Sequence, residues 1–483
     1  MGQPRDTAGP SSAAATDPGG PTGRLCHWLA SVTLSDIPAE VRERAKVLAL
    51  DGIGCLLVGS HLPWSALGVQ AITDFDGHGD FMLAAWGPRT TSAFSAAMLN
   101  SSFIQAFELD DYYPAAPLHS NAVLIPAMLP VLQRHPEITG ADFLRALVHG
   151  YEVGTRMGLS LHGPQMLSRG WHSGVVFGCA AAAAAAGSLL ELSAGQFEDA
   201  IGIATTQACG LMSAQFESMI KRMQHGFAAR AGLYAAVLAQ KGYVGIKRVL
   251  ERDYGGFLAV FGEGHTPDPY QLTVDLGARW TTTEIAVKPY AAMGGLHSGI
   301  EAALALRAQR NVRPEQVEAI VIEVGEAAFA HGGFEIERPI EPITAQMSLR
   351  YAVAVALLDG AALLAQFSRH RINSDDVWDL ASKIEVERTR DFDHPPHTTY
   401  TTRVTVRFQD GDVRQQLIEA PLGGTEIPLA NDVVANKFDR LAAAVTSEDR
   451  AARIREFMLA LDLQEKAVAL LDLLREPVKN PLA

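Results

Sequence analysis

From Leu25 to about Gly245, apolar positions recur at helical spacing in one segment after another. Asp36-Ile-Pro38 opens one helix, with Pro38 in the first turn, where its missing N–H goes unused. Apolar residues then run from Val41 to Val58, and a second run extends from Ala122 to Leu132. Ser173 to Leu190 carries no charge and is mostly alanine, which predicts a closely packed buried helix rather than a membrane span. Ser193 and Gln196 have capping-box spacing ahead of a helix through Ala204. Gly226 to Gln240 is a helix of small residues, suited to close helix–helix contact.

The period changes near residue 282. Thr281 to Val287 reads as a strand, and Val317 to Val324 alternates before turning fully apolar, as a sheet strand does. Thr401 to Phe408 has a period of two and is followed by the turn pair Asp410-Gly411. Helices are predicted between these strands at Leu296–Arg310 and Met347–Phe367, and helical pattern returns over Asp432–Leu474. The chain therefore reads as mainly α. Residues 23–282 and 423–483 form a large all-helical domain, and residues 283–422 form a smaller inserted α+β lid domain. A cleft between two such domains is a common place for a ligand. Residues 1–22 are rich in Gly, Pro, Ser and Ala and are expected to be a disordered tail.

Composition narrows the function. The 483 residues are 48% hydrophobic and 19% charged, enough for a substantial core. A net charge of −14 argues against a nucleic-acid partner and against anionic membrane surfaces. It leaves room for a locally basic pocket and a small anionic substrate. Cys26, Cys55, Cys179 and Cys209 form no CxxC pair, so a reducing, cytoplasmic setting fits better than a disulfide framework or zinc site. The first 22 residues lack the apolar run of a signal peptide. No HExxH, GxGxxG or phosphate-loop spacing occurs, so no metal, nucleotide, flavin or other cofactor is expected.

One segment stands apart. Glu108-Leu-Asp-Asp-Tyr-Tyr-Pro-Ala-Ala-Pro-Leu-His-Ser120 gathers Glu108, Asp110, Asp111, Tyr112 and His119 in a proline-broken stretch ahead of a helix. Buried charges must be paired, so core sequence has little use for this mixture. A solvated helix N-terminus with acids near the dipole is the plainer alternative. His172, in Arg169-Gly-Trp-His172, precedes the alanine run and is either a helix cap, an anion ligand or an acid–base group. Lys221-Arg-Met-Gln-His225 holds two cations and an imidazole, which either face a pocket or lie on a solvated face with Glu217 paired to Lys221 at i,i+4. Lys288-Pro-Tyr290, followed by Gly294-Gly295 and His297, suits an anion held at a helix start. Arg338-Pro339 with Gln346 and Tyr351 is a weaker cluster. Together His119, His172, Lys221, His225, Lys288 and His297 describe a cationic pocket with proton donors, which fits a small polycarboxylate.

These segments resemble the MmgE/PrpD family, and within it the itaconate-forming cis-aconitate decarboxylases of fungal type. The likeness runs through Asn100-Ser-Ser-Phe-Ile-Gln-Ala106, Glu108–Asp111, Ala116-Pro-Leu-His-Ser120, Gly170-Trp-His172, Thr206–Gln215, Lys221–Arg230, Leu250–Leu258 and Pro477–Leu482. The resemblance implies a large helical domain with a smaller lid, a homodimer and no cofactor. It carries the family's active-site aspartate onto Asp110, two histidines onto His119 and His172, and two lysines onto Lys221 and Lys288. His225, His297 and Tyr112 are then further candidate substrate contacts. Where the decarboxylases resembled have Asp-Asp-Tyr-His, this chain has Tyr113; where they have Trp-His-Cys, it has Ser173. A cysteine pair is here Ala292-Met293, and a glycine pair is Glu217-Ser218. The expected reaction is decarboxylation of cis-aconitate or a close tricarboxylate. The rivals are a 2-methylcitrate dehydratase-like hydro-lyase or isomerase, and a catalytically silent relative that binds an anion or a protein.

Overall fold

The computed structural model describes residues 13–76 and 79–482. At its centre lies the alanine-rich helix Ser173–Leu189, buried along its whole length. Helices Gly140–Ser160, Ser120–Arg134 and Gln224–Gln240 pack around it. Small residues allow the close approach: a Cβ built on Gly232 would lie 2.4 Å from the Cβ of Ala182. Helix Ala39–Gly59 begins where Pro38 predicts. Ser193 and Gln196 close the expected capping box on helix Ala194–Thr205. Late in the chain, helix Asn431–Ala443 returns to pack on Ala39–Gly59. Among the described residues, no single helix is long and apolar enough to cross a membrane.

A four-stranded mixed sheet supplies most of the β content, beside two ladders of two residues each. Its order is Ile384–Arg388, Val317–Val324, Thr402–Phe408 and Val413–Ile418. The first pair is parallel and the other two are antiparallel. Gly411, at φ +87°, turns the last hairpin, as the Asp-Gly pair predicts. Helix His297–Gln309 lies against the last two strands and helix Leu349–Asp359.

Three expectations need correction. Residues 1–12 of the expected tail lie outside the described residues, but 13–22 are tied down. Ala15 is buried, and Thr16 donates to Glu198 from its backbone N at 2.9 Å and its hydroxyl at 3.0 Å. Thr22 reaches Glu251, inside a helix that already begins at Pro21. Composition averages away these few specific partners. Thr281–Val287 is not one strand: Thr281–Glu284 is a 3-10 turn, and only Ala286–Val287 is extended. Thr281 and Thr282 instead donate to the buried Glu152 at 3.0 and 2.7 Å, a side-chain demand that outcompetes the ladder. The helix expected over Met347–Phe367 is broken, because Ser348 caps a new start and Gly360, at φ +71°, ends it.

Candidate active site

Helix Ala93–Ile104 ends just before the acidic segment, and Glu108 takes a left-handed backbone, φ +54°. Asp111 then anchors the segment. Its carboxylate accepts the N–H groups of Ser120 at 2.9 Å and Asn121 at 3.1 Å, at the start of helix Ser120–Arg134. Asp111 and Tyr112 also pair antiparallel with Val287 and Ala286. This two-residue ladder brings Lys288, next in sequence, to Glu108 and Asp110.

Glu108 is the hub. Lys221 donates to its Oε1, Lys288 Nζ lies 2.9 Å from its Oε2, and an Arg222 nitrogen stands 3.6 Å from Oε1. Lys288 is also 3.6 Å from Asp110, whose other oxygen is 2.8 Å from His119 Nδ1. Arg222 donates at 2.6 Å to Gln346, which in turn donates to the carbonyls of Phe107 at 2.8 Å and Ala291 at 2.9 Å. Lys437 Nζ bridges Asp51, at 2.7 Å, and the carbonyl of Leu109. The acidic segment is thus held from four directions.

The imidazoles form a second layer. His225 packs edge-on between His119 and His172, with ring centroids 4.9 and 4.8 Å apart. Its Nδ1 is 2.6 Å from Gln105 Oε1. Lys288 stands 5.9 Å from the Tyr112 ring centroid.

Burial and charge set the protonation states. Burial alone would raise the Glu108 carboxyl, but Lys221, Lys288 and Arg222 together hold it well below the ordinary carboxylate range. Asp110 is likewise lowered against its burial, by His119 and Lys288. Asp111 is pushed up to about 8 by burial, with Asp110 and Asp51 adding to it. Burial, then the Lys221 charge, pushes His172 well below an ordinary imidazole, so it is neutral near pH 7. Burial and the neighbouring His172 do the same to His225. Burial lowers Lys221 in spite of Glu108, whereas Glu108 and Asp110 outweigh burial at Lys288 and raise it.

A cavity of about 200 Å³ opens onto this cluster. Glu108, Tyr112, His119, His172, Lys221 and Lys288 reach it. Asp110 stands behind His119, and His225 behind both lining imidazoles. His297 does not line the cavity: its Nε2 is 3.1 Å from the Ala292 carbonyl, and burial takes its imidazole down to about 3. Ser173 and Met293 do line it, while Glu217 is exposed elsewhere and Tyr113 bonds Glu284 at 2.7 Å. Arg338 pairs with the exposed Asp375, apart from the cavity. Sequence reading passed over Glu108 in favour of Asp110, and it missed His331 and Tyr400, which complete the lining. Glu108 was visible as a carboxylate in the right segment; nothing local marked the other two. Among the described residues, no group of three or more His, Cys, Asp or Glu side chains is arranged to hold a metal ion.

Comparison with known proteins gives the lineage. The MmgE/PrpD N-terminal domain matches residues 23–269, and the MmgE/PrpD C-terminal domain matches residues 290–463. A protein of Aspergillus oryzae named cis-aconitate decarboxylase-like protein oryM is 44% identical over 477 residues, covering 95% of this chain and 98% of its own length. The cis-aconitate decarboxylase of Aspergillus terreus is 41% identical, over 96% of this chain and 97% of its own. The Homo sapiens cis-aconitate decarboxylase is 27% identical over 91% of each. Both halves of the fold and nearly the whole chain agree, and the chain belongs to the MmgE/PrpD family.

Proposed function

We propose that this protein is a carboxy-lyase that decarboxylates cis-aconitate, or a close tricarboxylate, to itaconate or its analogue, with no cofactor. One observation carries the reading: in a chain similar end to end to cis-aconitate decarboxylases, Lys221, Lys288, His119 and His172 face one buried cavity. Lys221 and Lys288 give charge-assisted bonds to two carboxylates of the substrate. The carboxylate on the methylene carbon points away from them, where a drier wall favours its loss. When that C–C bond breaks, its electron pair becomes a new terminal double bond. The pair of the old double bond takes a proton at the former vinyl carbon, and carbon dioxide leaves. His119, with Asp110 at its Nδ1, is the group we assign to deliver that proton.

The α+β segment is proposed to act as a lid over the helical domain, and Lys288 meets Glu108 at 2.9 Å in this structure. The chain is proposed to work as a cytoplasmic homodimer. Its four free cysteines suit that compartment, and exposed Leu211, Phe216, Met219 and Ile220 offer an apolar face to a second copy.

The test is incubation of purified protein with cis-aconitate and, separately, with 2-methylcitrate, followed by NMR of the products. The expected result is a five-carbon unsaturated diacid plus carbon dioxide from the first and no turnover of the second. Dehydration of 2-methylcitrate without decarboxylation of cis-aconitate would replace this reading with the hydro-lyase one.

A further inference from the structure

The cavity has two unlike ends. The charged end is built from Glu108, Lys221, Lys288, His119 and His172. The rest of the wall is mostly apolar, with Pro114, Pro164, Leu167, Met212, Met293 and Met347 beside a few polar side chains such as Ser168 and Thr399. An unsubstituted tricarboxylate lays only its departing carboxylate against such a wall and leaves most of it uncovered, since its other two carboxylates need cations or N–H donors. Met293 adds a bulky, adaptable thioether to that wall. The apolar end leads on to a second cavity of about 580 Å³, which shares Leu167, Met212 and His331 and adds Phe216 and Ala330 together with Glu326 and Asp393.

We infer that the preferred substrate is an alkyl-substituted unsaturated tricarboxylate, an acid of the cis-aconitate type with a hydrocarbon chain on its vinyl carbon. The inference rests on the decarboxylase reading and names its substrate class. Lys221 and Lys288 hold the carboxylates, and the chain lies along Leu167, Met212 and Met293 toward the second cavity. The chemistry is unchanged and balances as before. The bond to the methylene carboxylate breaks, the terminal double bond forms, and the proton arrives at the carbon that bears the chain. The product is an itaconate substituted beside its saturated carboxylate, with one carbon dioxide released. The reaction that supplies this substrate must be one that dehydrates an alkylated citrate.

The experiment is a steady-state series on the full-length protein with cis-aconitate and its methyl, butyl and hexyl homologues substituted at the vinyl carbon. Products are identified by mass spectrometry, and binding of the same acids is measured by calorimetry. Each buried methylene should raise kcat/KM roughly fourfold until the wall is filled. Leu167→Asn and Met212→Asn should flatten that dependence, lowering the ratio of hexyl to unsubstituted acid. Decarboxylation of cis-aconitate with homologues equal or worse would overturn the inference and leave the proposed reaction standing. If a folded protein decarboxylates none of the acids, the proposed reaction falls. In that case, affinity that climbs with chain length still supports an alkyl-binding wall, and flat affinity removes it.

Discussion

Glu108 concentrates the electrostatics of the site in one side chain. Three buried cations converge on its two oxygens, so removing its charge takes the nearest carboxylate from all three and leaves only Lys288 with a second one, Asp110. Glu108→Gln is expected to lower kcat/KM roughly 10²–10⁴-fold, and Lys221→Ala to do the same, with circular dichroism confirming a native fold. Near-normal turnover in either folded variant would take that residue out of the machinery. Asp111 allows a different test. Its carboxyl titrates at about 8 in the folded protein, against ~3.9 in an unfolded chain. A group raised in this way contributes stability that is complete below the unfolded value and is lost as pH climbs through the folded one. Melting temperature should therefore fall from about pH 4 to pH 8, and Asp111→Asn should flatten the fall. An identical slope in wild type and variant would show that Asp111 is already ionised. Much at this scale was legible as residue type but not as partnership. Lys221 with Glu217 has i,i+4 spacing, yet Lys221 sits in the 3-10 turn Met219–Arg222, where that face does not exist. Its partner is Glu108, 113 residues away. Glu217 is exposed outside the cavity, whereas Met293 lies on its wall.

Elements with a sustained apolar period were readable because their burial is one-dimensional. The alanine run tells its own story: only small side chains let three helices press against Ser173–Leu189. Gly232→Ala is the sharpest probe of that contact, since its Cβ would meet Ala182 at 2.4 Å and the Ala183 nitrogen at 2.6 Å. It should destabilise the protein by ~1–3 kcal/mol. Chemical denaturation reads this directly, and an unchanged midpoint would mean that the helices relax apart at no cost. Two of the three failures share one cause. Thr281 and Thr282 have strand propensity, but Glu152, on helix Gly140–Ser160, is fully buried beside Arg156 at 3.2 Å and takes their hydroxyls as well. A local propensity of tenths of a kcal/mol yields to a buried carboxylate whose remaining lone pairs need donors. The same holds for Thr16 and Thr22, whose carboxylate partners lie 182 and 229 residues away.

At the scale of the molecule, a net charge of −14 coexists with a cationic pocket, because the lysines are buried and the excess acid is spread over the surface. Closure of the proposed lid over a bound tricarboxylate should shrink the particle. Small-angle scattering is expected to show a smaller radius of gyration at saturating ligand, and superimposable profiles would argue that the lid is already shut. That distant segments share one cavity could be inferred from their residue types and from the family resemblance, not from local pattern. No periodicity links residue 108 to 221 or 288.

The two-residue ladder between Asp111–Tyr112 and Ala286–Val287 bears on the order of events as the chain leaves the ribosome. Glu108 emerges long before either lysine: Lys221 follows 113 residues later and Lys288 180 residues later. Until then a carboxylate destined for complete burial has no counter-ion, and the acidic stretch has no strand to zip against. The nascent helical layer must therefore keep this seam wet and unsealed. Lys288 is the last of the Glu108 cations to arrive, so the charged end of the pocket cannot be completed before synthesis has passed residue 288.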